Sequence, residues 1–190
     1  MSLPVSSGSL QMKVVGVRDE LVSTESGHEV QNSDFSNGLR ERFVIKCEVL
    51  FENFETNYPM IASTANNSFQ MHGLGDAYHE DKGKLVFYLY TTSGKGPHGR
   101  GTGQVRSVQK LSPNEWHEVT VEKGIDFLSV EVDGQQNKRK LPEEFQPEDF
   151  IMKPTGNLIL TGANSPDKRL NGRVRNFMLL PPSVMKSARK

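Results

Sequence analysis

The sequence of 190 residues has one cysteine, one tryptophan and no net charge. The single cysteine excludes an intrachain disulfide, which is typical of a cytosolic protein or of a secreted domain large enough to fold without cross-links. With 23 basic and 23 acidic residues, no overall field attracts the chain to nucleic acid or to a membrane surface. No stretch approaches the roughly 20 apolar residues of a membrane span, and no basic segment precedes an apolar core as in a signal peptide.

The chain also lacks the motifs of several enzyme and cofactor classes. It has no Gly-x-Ser-x-Gly element, and the glycine-dense segment 93–103 lacks the Gly-Lys-Ser/Thr ending of a phosphate loop. Histidine and carboxylate side chains crowd the segment 73–83 and its border: His72, Asp76, His79, Glu80 and Asp81. Their spacing matches no zinc motif, so we expect a solvated loop and neither a metal site nor a cofactor.

Glu131 and Asp133 are the candidates for a catalytic pair of carboxylates. Residues two apart share one face of a strand, and glycoside hydrolysis uses two carboxylates. However, Asp133 precedes Gly134 and heads a turn, and no third acid continues the series. We therefore expect a protein without catalytic activity.

Alternation of apolar and polar residues is the main structural signal. The segments Glu115–Val121 and Phe127–Asp133 alternate, and the second ends in Asp133-Gly134, a strong hairpin signal because both residues tolerate positive φ. In Arg42–Phe54 one set of apolar side chains shares a face: Phe43, Ile45, Cys47, Val49 and Phe51. These patterns predict half-buried antiparallel strands.

Short apolar runs between turn residues predict further strands. They are Leu10–Val17, Tyr58–Ser63, Ser68–His72, Lys84–Thr92, Val105–Leu111, Asn157–Thr161 and Arg173–Leu180. A short helix is predicted near Pro142–Phe145. About ten short strands, with 17 Gly and 10 Pro, predict an all-β fold, a jelly-roll β-sandwich of two antiparallel sheets. We expect a flexible segment at 1–9, one domain over 10–182 and a basic tail at 183–190.

Three side chains in the predicted strands could carry chemistry, but their positions favour structural roles. Cys47 belongs to an apolar face, so we expect a buried, reduced thiol. Trp116 begins its strand and is expected to anchor the inner face of a sheet or its edge, with a sugar-stacking platform as the alternative. His117 points the opposite way and is expected to pack or form hydrogen bonds.

Several short motifs follow one another in residues 40–180. They are Gly83-Lys84-Leu85, Trp116-His117-Glu118-Val119, Val132-Asp133-Gly134, Asn157–Gly162 and Leu170–Asn176. In this order they resemble the laminin G-like domain of the concanavalin A-like jelly-roll group. The resemblance implies a binding module that recognises a glycan or a protein at loop-built rims. It also implies an extracellular or cell-surface location, while a cytoplasmic one stays open.

Two positions depart from the family pattern. Arg173 stands where many extracellular members carry a cysteine, so the disulfide that the resemblance would imply is absent. The turn that carries the family's calcium-binding Asp offers Asn66-Asn67, and neutral amides bind a hard cation more weakly than carboxylates do. We therefore do not transfer the calcium site. Asn66-Asn67-Ser68 is also an N-glycosylation sequon, which matters only in a protein secreted by a eukaryote.

Charge is distributed unevenly between the two halves of the chain. Residues 1–95 hold 8 basic and 12 acidic residues, and residues 96–190 hold 15 and 11. Basic residues of the second half concentrate in predicted loops, and arginine pairs well with carboxylate and sulfate groups. An acidic or sulfated glycan is therefore predicted to contact six residues: Arg100, Arg106, Lys138, Arg139, Lys168 and Arg169. A protein-interaction or adhesion domain, and a glycosidase or lyase, are the alternatives.

Overall fold

Two antiparallel β-sheets form the structure, a computed structural model that describes residues 15–17, 20–22, 27–30, 42–64, 69–90, 102–141, 158–162 and 168–180. Sheet A has the order β1 (Val15–Val17), β13 (Gly172–Leu180), β4 (Phe43–Phe51), β9 (Trp116–Lys123), β10 (Phe127–Val132) and β11 (Gln135–Lys140), and β2 (Leu21–Val22) also pairs with β13. Sheet B has the order β3 (His28–Val30), β12 (Leu158–Leu160), β5 (Met60–Thr64), β6 (Phe69–Gly73), β7 (Lys84–Tyr90) and β8 (Thr102–Lys110). The predicted all-β jelly-roll sandwich is confirmed.

The core lies between the two sheets because the apolar positions of the alternating strands face each other. In β4 the predicted apolar face is buried, and Lys46 on the other face is exposed. The ring of Phe43 meets those of Phe69 and Phe87 from sheet B edge-on, with centroids 6.3 and 6.1 Å apart. Cys47 is 4% exposed, and burial raises the pKa of its thiol to about 12, with Glu48 acting in the same direction. The predicted buried, unpaired thiol is confirmed in its placement.

The Asp133-Gly134 hairpin is confirmed, but the strand after it was not predicted. Asp133 and Gly134 have φ values of 47° and 80°, and Val132 pairs with Gln135 across the turn. Residues 138–140 were predicted to lie in a loop, and they form the second half of β11. The loop prediction was wrong because β11 is the outermost strand of sheet A and pairs with β10 through its backbone. Its side chains are polar, so the sequence shows no apolar alternation there.

Two further differences concern polar segments. Strands β2 and β3 lie in polar sequence that was not predicted to form strands, and they pair with β13 and β12 respectively. The acid-rich loop contains a 3₁₀ helix, Asp76–Asp81. Residues 1–9 and 183–190, the ends of the predicted domain, and the predicted helix at 142–145 lie outside the described residues. Within the described ranges, no helix is long and apolar enough to cross a membrane.

Candidate functional site

The outer face of sheet B carries a small pocket with aromatic walls. Its volume is about 250 Å³, which is below the range of sites for drug-sized ligands and suits one small ring. The lining residues are Tyr58, Met60, Gln70, His72, Tyr78, Tyr88 and Lys168. The pocket therefore combines flat apolar surfaces with hydroxyl, amide, imidazole and ammonium groups.

Strand alternation places the floor of this pocket. In β6, Gln70 and His72 alternate with the core residues Phe69 and Met71 and so face outward. In β7, Tyr88 alternates in the same way with two core residues, Phe87 and Leu89. Because these strands pair directly, the outward side chains of both form one surface.

Close contact between two loops places the walls. The backbone N–H of Gly75 donates to the carbonyl of Asn57 at 3.1 Å, and the N–H of Asp76 donates to the carbonyl of Phe54 at 3.1 Å. A Cβ atom on Gly75 would lie 1.7 Å from the carbonyl oxygen of Thr56, so only glycine permits this approach. The contact brings residues 54–58 against the 3₁₀ helix, and thereby Tyr58 against Tyr78.

The rings of the pocket form a continuous chain of contacts. The centroid of Tyr58 lies 5.4 Å from that of Tyr78 and 5.3 Å from that of His72, both edge-on. His72 and Tyr88 are stacked, with centroids 5.5 Å apart and planes 14° from parallel. Burial raises the pKa of Tyr78, and its hydrogen bond with Tyr58 acts in the same direction. The phenol of Tyr78 therefore stays neutral and can hydrogen-bond a ligand.

His72 is a neutral group in this pocket. It is 1% exposed, and its Nδ1–H donates to the carbonyl of Gly73 at 2.8 Å. Burial lowers its pKa to about 4; Lys168 and Arg106 act in the same direction, and the hydrogen bond to Gly73 opposes them. A neutral ring that donates from Nδ1 keeps Nε2 as an acceptor. Among the described residues of the lining, Lys168 is the one charged side chain.

Two carboxylates of the acid-rich loop, Asp76 and Asp81, are paired with basic side chains. Asp81 accepts from Lys84 Nζ at 2.7 Å and from Arg106 Nη1 at 2.5 Å, and the hydrogen bond from Lys84 is the main cause of its lowered pKa. Asp76 pairs with Lys82. In the part of the chain that the structure describes, no group of three His, Cys, Asp or Glu residues could hold a metal ion.

A second pocket lies where the edge of sheet B meets β11 of sheet A. Its volume is about 260 Å³, and its lining residues are Gln104, Val105, Arg106, Asn137 and Arg139. Asn137 Nδ2 donates to the carbonyl of Arg106 at 2.8 Å, and Arg139 Nη1 donates to the carbonyl of Gln104 at 3.3 Å. Side chains of one sheet thus bind the backbone edge of the other. We call this pocket the seam.

The structure separates the basic residues that the sequence grouped together. Arg106 and Arg139 line the seam, and Lys168 lines the aromatic pocket. Lys138 projects from the opposite face of β11, and its Nζ lies 3.5 Å from the ring centroid of Phe127. Arg169 is half-buried and its carbonyl accepts from Thr56 Oγ1 at 3.3 Å. Arg100 and the turn Asn66-Asn67 lie outside the described residues.

Trp116 lies on the outer face of sheet A, so its predicted inner-face position was wrong. Val119 and Val121 belong to the core, and their phase places Trp116 on the other side of β9, half-buried. The guanidinium carbon of Arg175 lies 4.0 Å from the ring centroid, and Arg175 also donates to Glu48 at 2.9 and 2.6 Å. One face of the ring is therefore covered by a paired cation.

His117 forms hydrogen bonds, as predicted, and holds the hairpin turn. It is 4% exposed, and its Nδ1 lies 2.6 Å from Asp133 Oδ2. The other oxygen of Asp133 accepts the N–H of Glu118 at 2.9 Å. Gln109 also donates to this carboxylate, at 3.2 Å. Asp133 thus connects His117, Glu118 and Gln109 at the hairpin turn.

Comparison with known families identifies the fold by sequence as well. The sequence profile of the laminin G domain family matches residues 82–178, which is just over half of the chain. The chain belongs to the laminin G domain family. Laminin G-like domains are generally binding modules without catalytic activity, and they are typically extracellular. Comparison with curated protein sequences gives no match.

Solved structures similar to this laminin G domain include binding domains of botulinum neurotoxins. One is the binding domain of neurotoxin DC in complex with rat synaptotagmin II, with a TM-score of 0.57 and 14% identity over 88% of this chain and 43% of that one. Another is a structure of botulinum neurotoxin type C, whose cell entry depends on interaction with two ganglioside molecules. Its TM-score is 0.53, with 16% identity over 88% of this chain and 42% of that one. At this identity the likeness shows the fold alone. The chain spans less than half the length of these proteins.

Proposed function

We propose that this laminin G domain is a carbohydrate-binding module and that its aromatic pocket holds an acidic sugar. The observation that carries the proposal is the composition of the pocket. Three tyrosines and a neutral histidine surround a space of about 250 Å³, and Lys168 is the charged group among its described lining residues. An acidic sugar offers a C–H face for the aromatic rings and an anion for the lysine.

Each part of the pocket matches one feature of an acidic pyranose. The C–H face of the sugar packs on an aromatic ring such as Tyr88. Hydroxyl groups exchange hydrogen bonds with the phenols and the amide of Gln70, and can donate to Nε2 of His72. Lys168 forms a charge-assisted hydrogen bond with a carboxylate or sulfate. The nearby charge of Arg106 strengthens the attraction for an anion.

The test is calorimetric titration with two matched probes, the methyl glycosides of glucuronic acid and of glucose. We expect the acid to bind and the neutral sugar to bind at least tenfold more weakly, because a hydrogen bond to a charged group contributes about 1.5–3 kcal/mol. Tyr88→Ala should abolish binding, whereas Tyr88→Phe should retain the stacking. Affinity for the acid should also fall as salt rises.

Two lysine variants separate a specific contact from a general effect of charge. Lys168→Gln removes the cation of the pocket, and Lys46→Gln removes an exposed lysine on the far face of sheet A. We expect only the first to weaken binding. Equal affinities of the two variants, or a flat response to salt, would contradict the proposal. Absence of glycan binding together with specific capture of one protein ligand would favour the adhesion alternative.

A further inference from the structure

We infer that the seam is a second sugar subsite, so that the ligand is at least a disaccharide with an anionic group on its second ring. This inference rests on the proposed function, because it extends the aromatic pocket. It is carried by three features of the seam: its position beside the aromatic pocket, the exposed guanidinium of Arg139 and a buried acceptor without a partner among the described residues.

The seam adjoins the aromatic pocket through directly paired residues. Tyr88, in the lining of the aromatic pocket, is paired in register with Gln104, in the lining of the seam. The next pair on this outer face joins Val86 to Arg106. Neighbouring strands lie about 5 Å apart, a distance that one glycosidic linkage spans. Rings in the two pockets can therefore belong to one disaccharide.

The electrostatics of the two pockets are also shared. The charge of Arg106 acts on His72 and on Tyr78, although Arg106 lines the seam. Asp81 neutralises only part of this charge, because its carboxylate pairs with both Arg106 and Lys84. One net positive charge remains in this cluster and, with Arg139, it makes the seam attractive to an anion.

The donors of Arg139 suit a carboxylate or a sulfate. A guanidinium carries five N–H donors in a planar fork, and Nη1 of Arg139 makes a long hydrogen bond of 3.3 Å to the carbonyl of Gln104. The side chain is exposed, so its remaining edge can meet a ligand. A bidentate contact with a planar anion is the arrangement that this geometry favours.

Gln104, a lining residue of the seam, has a side-chain acceptor with no hydrogen-bond partner among the described residues. This atom, Oε1, is buried, and buried polar atoms in native proteins are nearly always satisfied. A hydroxyl of a second sugar ring would supply the missing donor. An anion alone would not, because it brings only acceptors to this oxygen. The seam therefore suits a ligand that carries both a hydroxyl and a negative charge.

The experiment compares a monosaccharide with a disaccharide that contains it. The probes are the methyl glycoside of glucuronic acid, a disaccharide of glucuronic acid linked to a sulfated hexosamine, and the same disaccharide without sulfate. We expect the sulfated disaccharide to bind about tenfold more tightly than the monosaccharide, and loss of the sulfate to remove most of that gain.

Two adjacent residues of β11 give a matched pair of variants. Arg139→Gln removes a seam cation, and Lys138→Gln makes the same change of charge on the opposite face of the strand. We expect Arg139→Gln to lower affinity for the sulfated disaccharide about tenfold without changing that for the monosaccharide. Lys138→Gln should change neither. Gln104→Leu, which removes the acceptor without changing charge, should also weaken only the disaccharide.

The outcomes distinguish this inference from the function on which it rests. If the monosaccharide binds and depends on Lys168 but the disaccharide binds no more tightly, the seam is not a subsite and the proposed function stands. Equal effects of Arg139→Gln and Lys138→Gln would likewise overturn the inference. If neither probe binds, the proposed function and the inference both fail. Matched unfolding midpoints of the three variants confirm that each compares folded proteins.

Discussion

Replacing His72 by phenylalanine should change how the stability of the protein depends on pH. His72 is buried between Tyr58 and Tyr88, and burial lowers its pKa from 6.5 to about 4. Phenylalanine keeps a ring in this position but cannot take up a proton. The variant loses the hydrogen bond to Gly73 and is therefore destabilised above pH 6.5, where the imidazole of the wild type is neutral in both states. The informative quantity is the additional change between pH 6.5 and 4.

The sign follows from the two pKa values. Above pH 6.5 the imidazole is neutral in both the folded and the unfolded chain, so it adds no pH dependence. Between pH 6.5 and about 4 the unfolded chain takes up a proton that the folded chain does not, so the wild type loses stability as the pH falls. A gap of about 2.5 pH units corresponds to about 3 kcal/mol of lost stability at pH 4.

Urea unfolding followed by circular dichroism at pH values from 4 to 8 measures this effect. The difference in unfolding free energy between wild type and His72→Phe should shrink as the pH falls, because only the wild type has an imidazole that takes up a proton on unfolding. Gln70→Ala, on the same strand, serves as a control without a titrating group, and its curve should run parallel to that of the wild type. A parallel curve for His72→Phe as well would refute the reasoning.

Three other predictions concern the rest of the sandwich. Thiol reagents should label Cys47 only after unfolding, because the thiol is buried and its pKa is raised to about 12; rapid labelling of the native protein would contradict its burial. Trp116→Ala should reduce the free energy of unfolding by about 1–2 kcal/mol, less than the 3–5 kcal/mol of a fully buried tryptophan, as measured by urea denaturation. Asp133→Ala should cost about 2–3 kcal/mol, since it leaves His117 and the N–H of Glu118 without their acceptor; a loss below about 0.5 kcal/mol would show that this network contributes little.

The fold class and the core of the main strands could be predicted from local patterns. The apolar face of β4 is continuous in sequence, and a half-buried strand must alternate, so the burial of Phe43 through Phe51 follows from residue order alone. The hairpin at Asp133-Gly134 is equally local, because only a few residues tolerate its positive φ values. Such features depend on neighbours in the chain and need no knowledge of distant segments.

Trp116 and β11 show where local pattern was insufficient. Both phases of the β9 sequence carry bulky side chains, and only the packing of Val119 and Val121 against the core decides that Trp116 faces outward. Strand β11 has no apolar alternation, because it lies at the edge of sheet A. Its pairing with β10 is a backbone interaction, which the pattern of side chains does not reveal.

The candidate site was decided by tertiary structure. Tyr58, Tyr88 and Lys168 are separated by 30 and 80 residues, and their convergence depends on strand pairing and on the close approach at Gly75. Lys138 and Arg139 are neighbours in sequence but face opposite sides of β11. Sequence alone determined which residue types are available for an acidic ligand. Only the register and the packing of the two sheets decided which of them meet, because a strand sends successive side chains to opposite faces.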